Sequence, residues 1–299
     1  MGKFAKNVDP QAVAEKQAAN VIKQLQGSVL KSIGTVRNYE ERLTVVAKIV
    51  NQEINTSLRN ITVEQAHQYL TDRGAEVGQK TLDMERQAIQ CMMQHISKKL
   101  SPNQTLTVIK SEHQQNLNSR SYTQDQIKAV VDAQTEKNAL STEIAHASGL
   151  RAHELLTLRE RSDREPDPRP ALDEKFQGRD GKIYTVEGKG GLVREVLIPH
   201  HLAERLENNR LDSTKEVKDR GISYTIQYDI GGGQRWSASF SSASNRSLSW
   251  SAGGHGMRHT YAQERMSELQ KTMTYMKALE VVSQEMGHFR PEITQVYLR

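Results

Sequence analysis

Only one cysteine, Cys91, occurs in 299 residues. That excludes an internal disulfide and a cysteine-rich zinc site, and it points to a reducing compartment. Its neighbours in AIQCMMQHI suit a buried thiol. Long apolar runs are also missing: the longest, TVVAKIV at 44–50, is far below the roughly 20 residues of a membrane span. The first residues, MGKFAKNVDPQAVAEK, are basic with no apolar run behind them, so no signal peptide is expected. These absences predict a soluble, intracellular protein with no membrane partner. There is little charge excess either. The net charge is +5, and all of it lies early: residues 1–120 carry 16 basic against 11 acidic side chains, and the remainder 25 against 25. A basic part joined to a neutral part suits a partner that carries phosphates, although an excess this small is commonly just a solvated surface.

What is present reads as a folded, helix-rich chain, with 36% hydrophobic and 26% charged residues and a length that suits two domains. From about 35 to 115, TVRNYEERLTVVAKIV, ITVEQAHQYL and KTLDMERQAIQCMMQHISKKL repeat apolar residues at three and four spacing. Thr62 and Gln65 form a capping box. The stretch 101–121 has no clear period and reads as a linker. The second part opens with another cap-like start, YTQDQIKAVVDAQ, and runs through a helix to SGLRAHELLTL. Charged, proline-bearing 161–182 reads as a surface loop or insertion. KIYTVEGKGGLVREVLIP predicts a hairpin around a glycine-bearing tip. Helical patterns return near 255, while 231–254 is open between helix and loop.

Several residues invite chemistry, and each has a plainer reading. If Ser148-Gly149 starts a helix, Arg151 falls in its first turn with Glu154 on the same face. That is either a surface ion pair or an anion site in which Glu154 orients the arginine. His255 and Arg258, three apart, share a helix face. A guanidinium repels a metal ion, so the pair suits phosphate better than a cation, although H-x-x-R is frequent by chance. His259 and Tyr261 are assigned to structure. Lys189, between turn glycines, is either solvated or positioned to protonate a leaving oxygen. Tyr297 is either a packed aromatic or a nucleophile, and the second requires activation by cations on the same phosphate.

Taken in order, Arg151, Lys189, His255, Arg258, His288 and Tyr297 resemble the tyrosine recombinases, or phage integrases. The matching stretches are GLRAHELLTL, EGKGGLVREVLIP, HGMRHTYA, and MGH with TQVYL, spanning about 145–299. The first part matches that family's core-binding domain in pattern and position only. The resemblance implies a mainly α protein with a small β-sheet: an N-terminal tail over 1–30, a helical core-binding domain over 31–115 and an α+β catalytic domain over 116–299, the two domains clamping DNA. It implies that Tyr297 attacks a phosphodiester to give a 3′-phosphotyrosyl bond and a free 5′-hydroxyl. Arg151 and Arg258 would hold the non-bridging oxygens, Lys189 would protonate the leaving oxygen, His255 would act as acid and base, His288 would hydrogen-bond the phosphate, and Glu154 would support Arg151 from behind. No metal or other cofactor is implied. The implied partners are double-stranded DNA, copies of the chain in a DNA-bound tetramer, and accessory DNA-bending or directionality factors. The implied location is the bacterial or phage-derived cytoplasm, on the nucleoid.

Family members commonly continue past the tyrosine with a segment that docks on a neighbouring subunit, and here only Leu298 and Arg299 follow. Either the chain is truncated or subunits meet differently. The 161–182 insertion lengthens the path from Arg151 to Lys189 and makes Lys182 a rival for its role. No separate arm-binding domain is expected before the first helix. The alternatives are a type IB topoisomerase, which shares the chemistry, and a non-catalytic DNA-binding relative.

Overall fold

The computed structural model describes residues 9–114 and 118–299. The first eight residues, on which part of the tail and signal-peptide readings fall, and 115–117 of the expected linker lie outside the described residues. The chain divides into two compact units between residues 116 and 117.

In the first unit, α1 (Pro10–Leu25), α2 (Ile33–Glu53), α3 (Val63–Gly74) and α4 (Gln79–Met92) enclose one core. The chain therefore departs from the expected tail over 1–30. Ala14, Ala18, Val21, Ile22 and Leu25 recur at helical spacing on α1 and are all buried. Two of the five are alanines, so the stripe reads as weakly apolar in sequence while letting α1 pack closely on α2. Asp9 caps α1, and Thr62 and Gln65 make the reciprocal capping box of α3. Cys91 is buried. The supposed linker is partly structured: Leu106 is buried, Arg86 Nη1 donates to its carbonyl at 3.2 Å, and Glu112 N–H donates to Gly74 O at 2.9 Å.

The second unit begins with α5 (Gln124–Asp132), capped reciprocally by Thr123 and Gln126, and α6 (Glu136–Ser148). An antiparallel sheet follows in the order β1 (Arg159–Glu160), β2 (Lys182–Glu187), β3 (Val193–Ile198). The expected hairpin is present, with Lys182 opposite Ile198 and Glu187 opposite Val193. The 161–181 loop is tied down, since Leu172 N–H and Phe176 N–H each donate at 2.8 Å, to Gln284 and Glu285. After α7 (His200–Glu207) comes a second hairpin, β4 (Arg210–Asp219) and β5 (Ile222–Tyr228), which the sequence reading did not contain. β4 is mostly polar and exposed; β5 does alternate, with Ile226 and Tyr228 buried, but neither β4 nor the Arg220-Gly221 turn carries a hairpin signal. The undecided 231–254 stretch holds α8 (Gly233–Leu248), whose Trp236, Phe240, Ala243 and Ser244 are buried while Ser242 and Ser247 face outward. Packing of that stripe outweighs the modest helix propensity of serine. The chain closes with α9 (Gly256–Leu269), α10 (Tyr275–Glu285), α11 (Pro291–Thr294) and a 3₁₀ turn at Gln295–Tyr297. Among the described residues no helix is long and apolar enough to cross a membrane.

Candidate active site

The first arginine is not at a helix start. Gly149 is the left-handed C-cap of α6, with φ +61°, so Ser148-Gly149 ends a helix where the sequence reading began one. A β-carbon on Gly149 would lie 2.7 Å from the Tyr261 ring, so only glycine lets this loop come down on α9. Arg151 and Glu154 are joined through a loop and a 3₁₀ turn. Glu154 Oε1 accepts from Arg151 Nη1 at 2.6 Å, and Oε2 accepts from Arg151 N–H at 2.8 Å.

Glu154 is fully buried and binds more than its expected partner. Its Oε2 also accepts from Arg194 Nη2 at 2.9 Å, and Arg258 Nη1 lies 3.8 Å away. Burial alone would raise its pKa, yet Arg194, Arg258 and Arg151 together hold the carboxyl well below its ordinary range. Three guanidiniums against one carboxylate leave two positive charges in the cluster. Such a cluster attracts an anion with several acceptor oxygens.

Arg258 is buried in the first turn of α9. Its Nη1 donates to Gly149 O, and its Nη2 donates to Met286 O at 3.0 Å. The His288 Nε2 lies 3.1 Å from Arg258 Nη2 and 3.2 Å from Arg151 Nη2. Guanidinium groups only donate, so Nε2 is an acceptor and the ring proton sits on Nδ1, which donates to Thr294 Oγ1 at 3.0 Å. Burial first, then Arg258 and Arg151, lower the His288 pKa to about 3. His288 thus stands where the donors of both arginines converge.

The ring of Tyr297 covers this point. Its centroid lies 5.4 Å from Arg258 Cζ, 5.3 Å from the His288 ring at 29°, and 5.5 Å from the His255 ring. His255 occupies the N-cap position of α9, and burial followed by Arg258 and Arg120 lowers its pKa to about 3, so its ring is neutral near neutral pH. Lys189 is exposed in the hairpin turn. The turn abuts Arg151: a β-carbon on Gly188 would lie 3.1 Å from Glu154 Oε1 and 3.7 Å from Arg151 Nη1. Lys182, the rival, begins β2 at the far end of the hairpin, roughly 15–20 Å of strand from the tip. Its Nζ is held there by Glu160 and Glu207.

Four neighbours escaped the sequence reading. Arg194 was hidden within a strand, although alternation places it with Val196 and Ile198 on the inward side, an unusual position for a charge. His259, assigned to structure, lies with its ring centroid 4.8 Å from that of Tyr297, tilted by 46°. One turn on, Gln263 Nε2 donates to Tyr297 O at 3.1 Å and to Arg299 O at 2.9 Å. Arg120 donates to Ala252 O at 2.7 Å and bears on both His255 and His259. Tyr261 is structural as expected, its hydroxyl donating to buried Glu285 at 2.8 Å.

The fold of this chain resembles those of solved DNA-bound recombinases. A XerH site-specific recombinase bound to palindromic difH substrate, in a post-cleavage complex, superposes with TM-score 0.58 at 15% identity, covering 98% of this chain and 94% of that one. A lambda integrase dimer bound to a COC′ core site gives 0.62 at 15% identity, covering 95% and 94%. A Tn1549 transposon integrase in complex with a circular intermediate DNA gives 0.54 at 15%, covering 96% and 95%. The fold is that of the tyrosine recombinases. No protein-family model matches the sequence, and no curated protein matches it.

Proposed function

We propose that this chain is a site-specific DNA recombinase that cuts and rejoins strands through a 3′-phosphotyrosyl intermediate. The observation that carries this reading is the convergence of Arg151 Nη2 and Arg258 Nη2 on one point, 3.2 and 3.1 Å from His288 Nε2, beneath the ring of Tyr297. A scissile phosphate placed there would receive donors from both guanidiniums on its non-bridging oxygens, where negative charge grows in the transition state. Tyr297 Oη forms the new bond to phosphorus and gives its proton to His255, while the P–O5′ bond breaks and Lys189 protonates the leaving oxygen. Glu154 fixes the plane of Arg151, and the carbonyls of Gly149 and Met286 fix that of Arg258, so little reorganisation accompanies the chemical step. His288 must turn from acceptor to donor when the phosphate arrives, and the anion favours this by drawing a proton to Nε2.

Both units would contact duplex DNA, with copies of the chain assembling on paired sites. The solved structures it resembles are DNA-bound complexes, which supports duplex DNA as the partner. The reaction belongs to a mobile element or to chromosome maintenance in a bacterial or phage setting. The test places two copies of the DNA flanking the coding region on one supercoiled plasmid. Deletion or inversion between the copies is the expected product. Relaxation of any plasmid without exchange would assign the chain to topoisomerase-like strand passage instead.

A further inference from the structure

The β4–β5 hairpin takes no part in the chemistry above, yet it ends beside it. Lys218 pairs with Ser223 and Asp219 with Ile222, leaving Arg220 and Gly221 as a two-residue turn with φ of 47° and 81°. Turns with two left-handed residues favour Asn-Gly or Asp-Gly, because asparagine and aspartate tolerate positive φ better than other side chains with a β-carbon. Here an arginine stands in the unfavourable position. Backbone strain kept at one residue invites a search for what its side chain does.

The turn is held in place relative to the arginine loop. Asp219 Oδ1 accepts from Gln234 N–H at 2.8 Å, and the adjacent Gly233 N–H donates to Ala152 O at 2.7 Å, within the loop from Arg151 to Glu154. Farther along β5, Arg159 Nη2 donates to Thr225 O, and Gln227 Nε2 donates to Asp163 at 2.8 Å. The hairpin is thus tied to the same segment that carries Arg151. The Arg220 side chain is 49% exposed, and its contact is the neighbouring Asp219 at 3.3 Å. Its charge reaches His153, next to Glu154, and Tyr224, which is also within range of Glu187 at the mouth of the lysine turn.

We propose that the β4–β5 tip is an additional DNA-backbone contact, in which Arg220 binds a phosphate neighbouring the one held by Arg151 and Arg258. The proposal rests on the recombinase reading. An exposed guanidinium on a fixed turn loses little freedom on binding, and its planar donors match two phosphate oxygens. The phosphate is the partner the location selects, since the tip borders a cluster with excess positive charge.

The test measures binding of the full chain to duplex DNA across a range of salt. Arg220→Asn removes the charge and suits the left-handed turn better, so thermal stability should hold or rise while affinity falls. Loss of one phosphate contact should make the log–log salt slope shallower by about 0.9, a drop of about eightfold at 0.1 M salt. Arg220→Lys should restore most of the slope. Lys128→Gln, which removes an exposed charge on α5, should leave it unchanged. Wild-type binding combined with an unaltered slope in Arg220→Asn overturns the contact alone, and an equal fall in Lys128→Gln reduces it to net charge. A wild-type chain that binds no duplex overturns the recombinase reading, and this proposal with it.

Discussion

Glu154 is the residue on which the site's electrostatics turn, because among the described residues it alone forms ion pairs with Arg151, Arg194 and Arg258. Removing one member of a buried charge cluster leaves the others uncompensated, at a cost of about 3–5 kcal/mol. Glu154→Gln, nearly identical in shape, should therefore lower the urea midpoint by an amount corresponding to that range. A loss below about 1 kcal/mol would show that the arginines are not strained by each other. The histidines give a second prediction. His255, His259 and His288 all have folded-state pKa values below that of the unfolded chain, near 3, 4 and 3 respectively. They are neutral when folded and protonated when unfolded between those values and about 6.5, so unfolding takes up protons there and stability declines as pH falls through that window. Above about pH 7 they contribute no pH dependence. His288→Gln should flatten the acid limb of a stability-versus-pH curve, and an unchanged limb would remove His288 from the account. At this scale the grouping of Arg151, His255, Arg258, His288 and Tyr297 was legible from the matching stretches, their chemical roles remaining a proposal, whereas the places of Arg194 and Gln263 were not. Their roles depend on partners 40 and 34 residues away, Glu154 and Tyr297, and no local pattern carries that distance.

Among the elements, α1 most clearly separates what composition conveys from what packing requires. Alanine at two of its five buried positions made residues before 30 look like a tail, but their burial closes the first core. Deleting residues 1–26 should abolish cooperative unfolding of the first unit, seen as loss of a sharp thermal transition in a fragment ending at 114. A sharp transition in that fragment would make α1 dispensable. Capping boxes and the lysine hairpin were legible because their signals are local: Thr62 with Gln65, Thr123 with Gln126, and glycines between two alternating runs. The β4–β5 hairpin and α8 were not, since one has an arginine at its turn and the other is rich in serine. The last element carries a functional prediction. Gln263 on α9 holds the carbonyl of Tyr297, and His259 one turn before it lies against the Tyr297 ring, so the two set where its hydroxyl lies. A displacement of about 1 Å at a reacting group can slow a reaction by about a hundredfold. Gln263→Ala should slow covalent-adduct formation about ten- to a hundredfold while DNA affinity stays within about twofold. Normal adduct kinetics would show that the tether is only structural.

For the whole molecule, the charge asymmetry follows the division into two units: residues 1–116 carry 15 basic against 11 acidic side chains, and residues 117–299 carry 26 against 25. Both units should bind phosphate backbone, so the affinity of the full chain should fall linearly with salt on log–log axes, with a slope steeper than that of the second unit alone. Equal slopes would leave the first unit without a DNA contact. The central claim is that Tyr297 becomes joined to the 3′ end of a cut strand. The decisive substrate is a duplex bearing the recombination site and labelled at the 5′ end of the cut strand, with a nick just downstream of the scissile phosphate so that the released fragment diffuses away. The wild-type chain should accumulate on the labelled strand as an SDS-resistant species, and Tyr297→Phe should bind the duplex without forming it. An adduct on the opposite, 5′-phosphate side of the cut, or an undiminished adduct in Tyr297→Phe, would contradict the account.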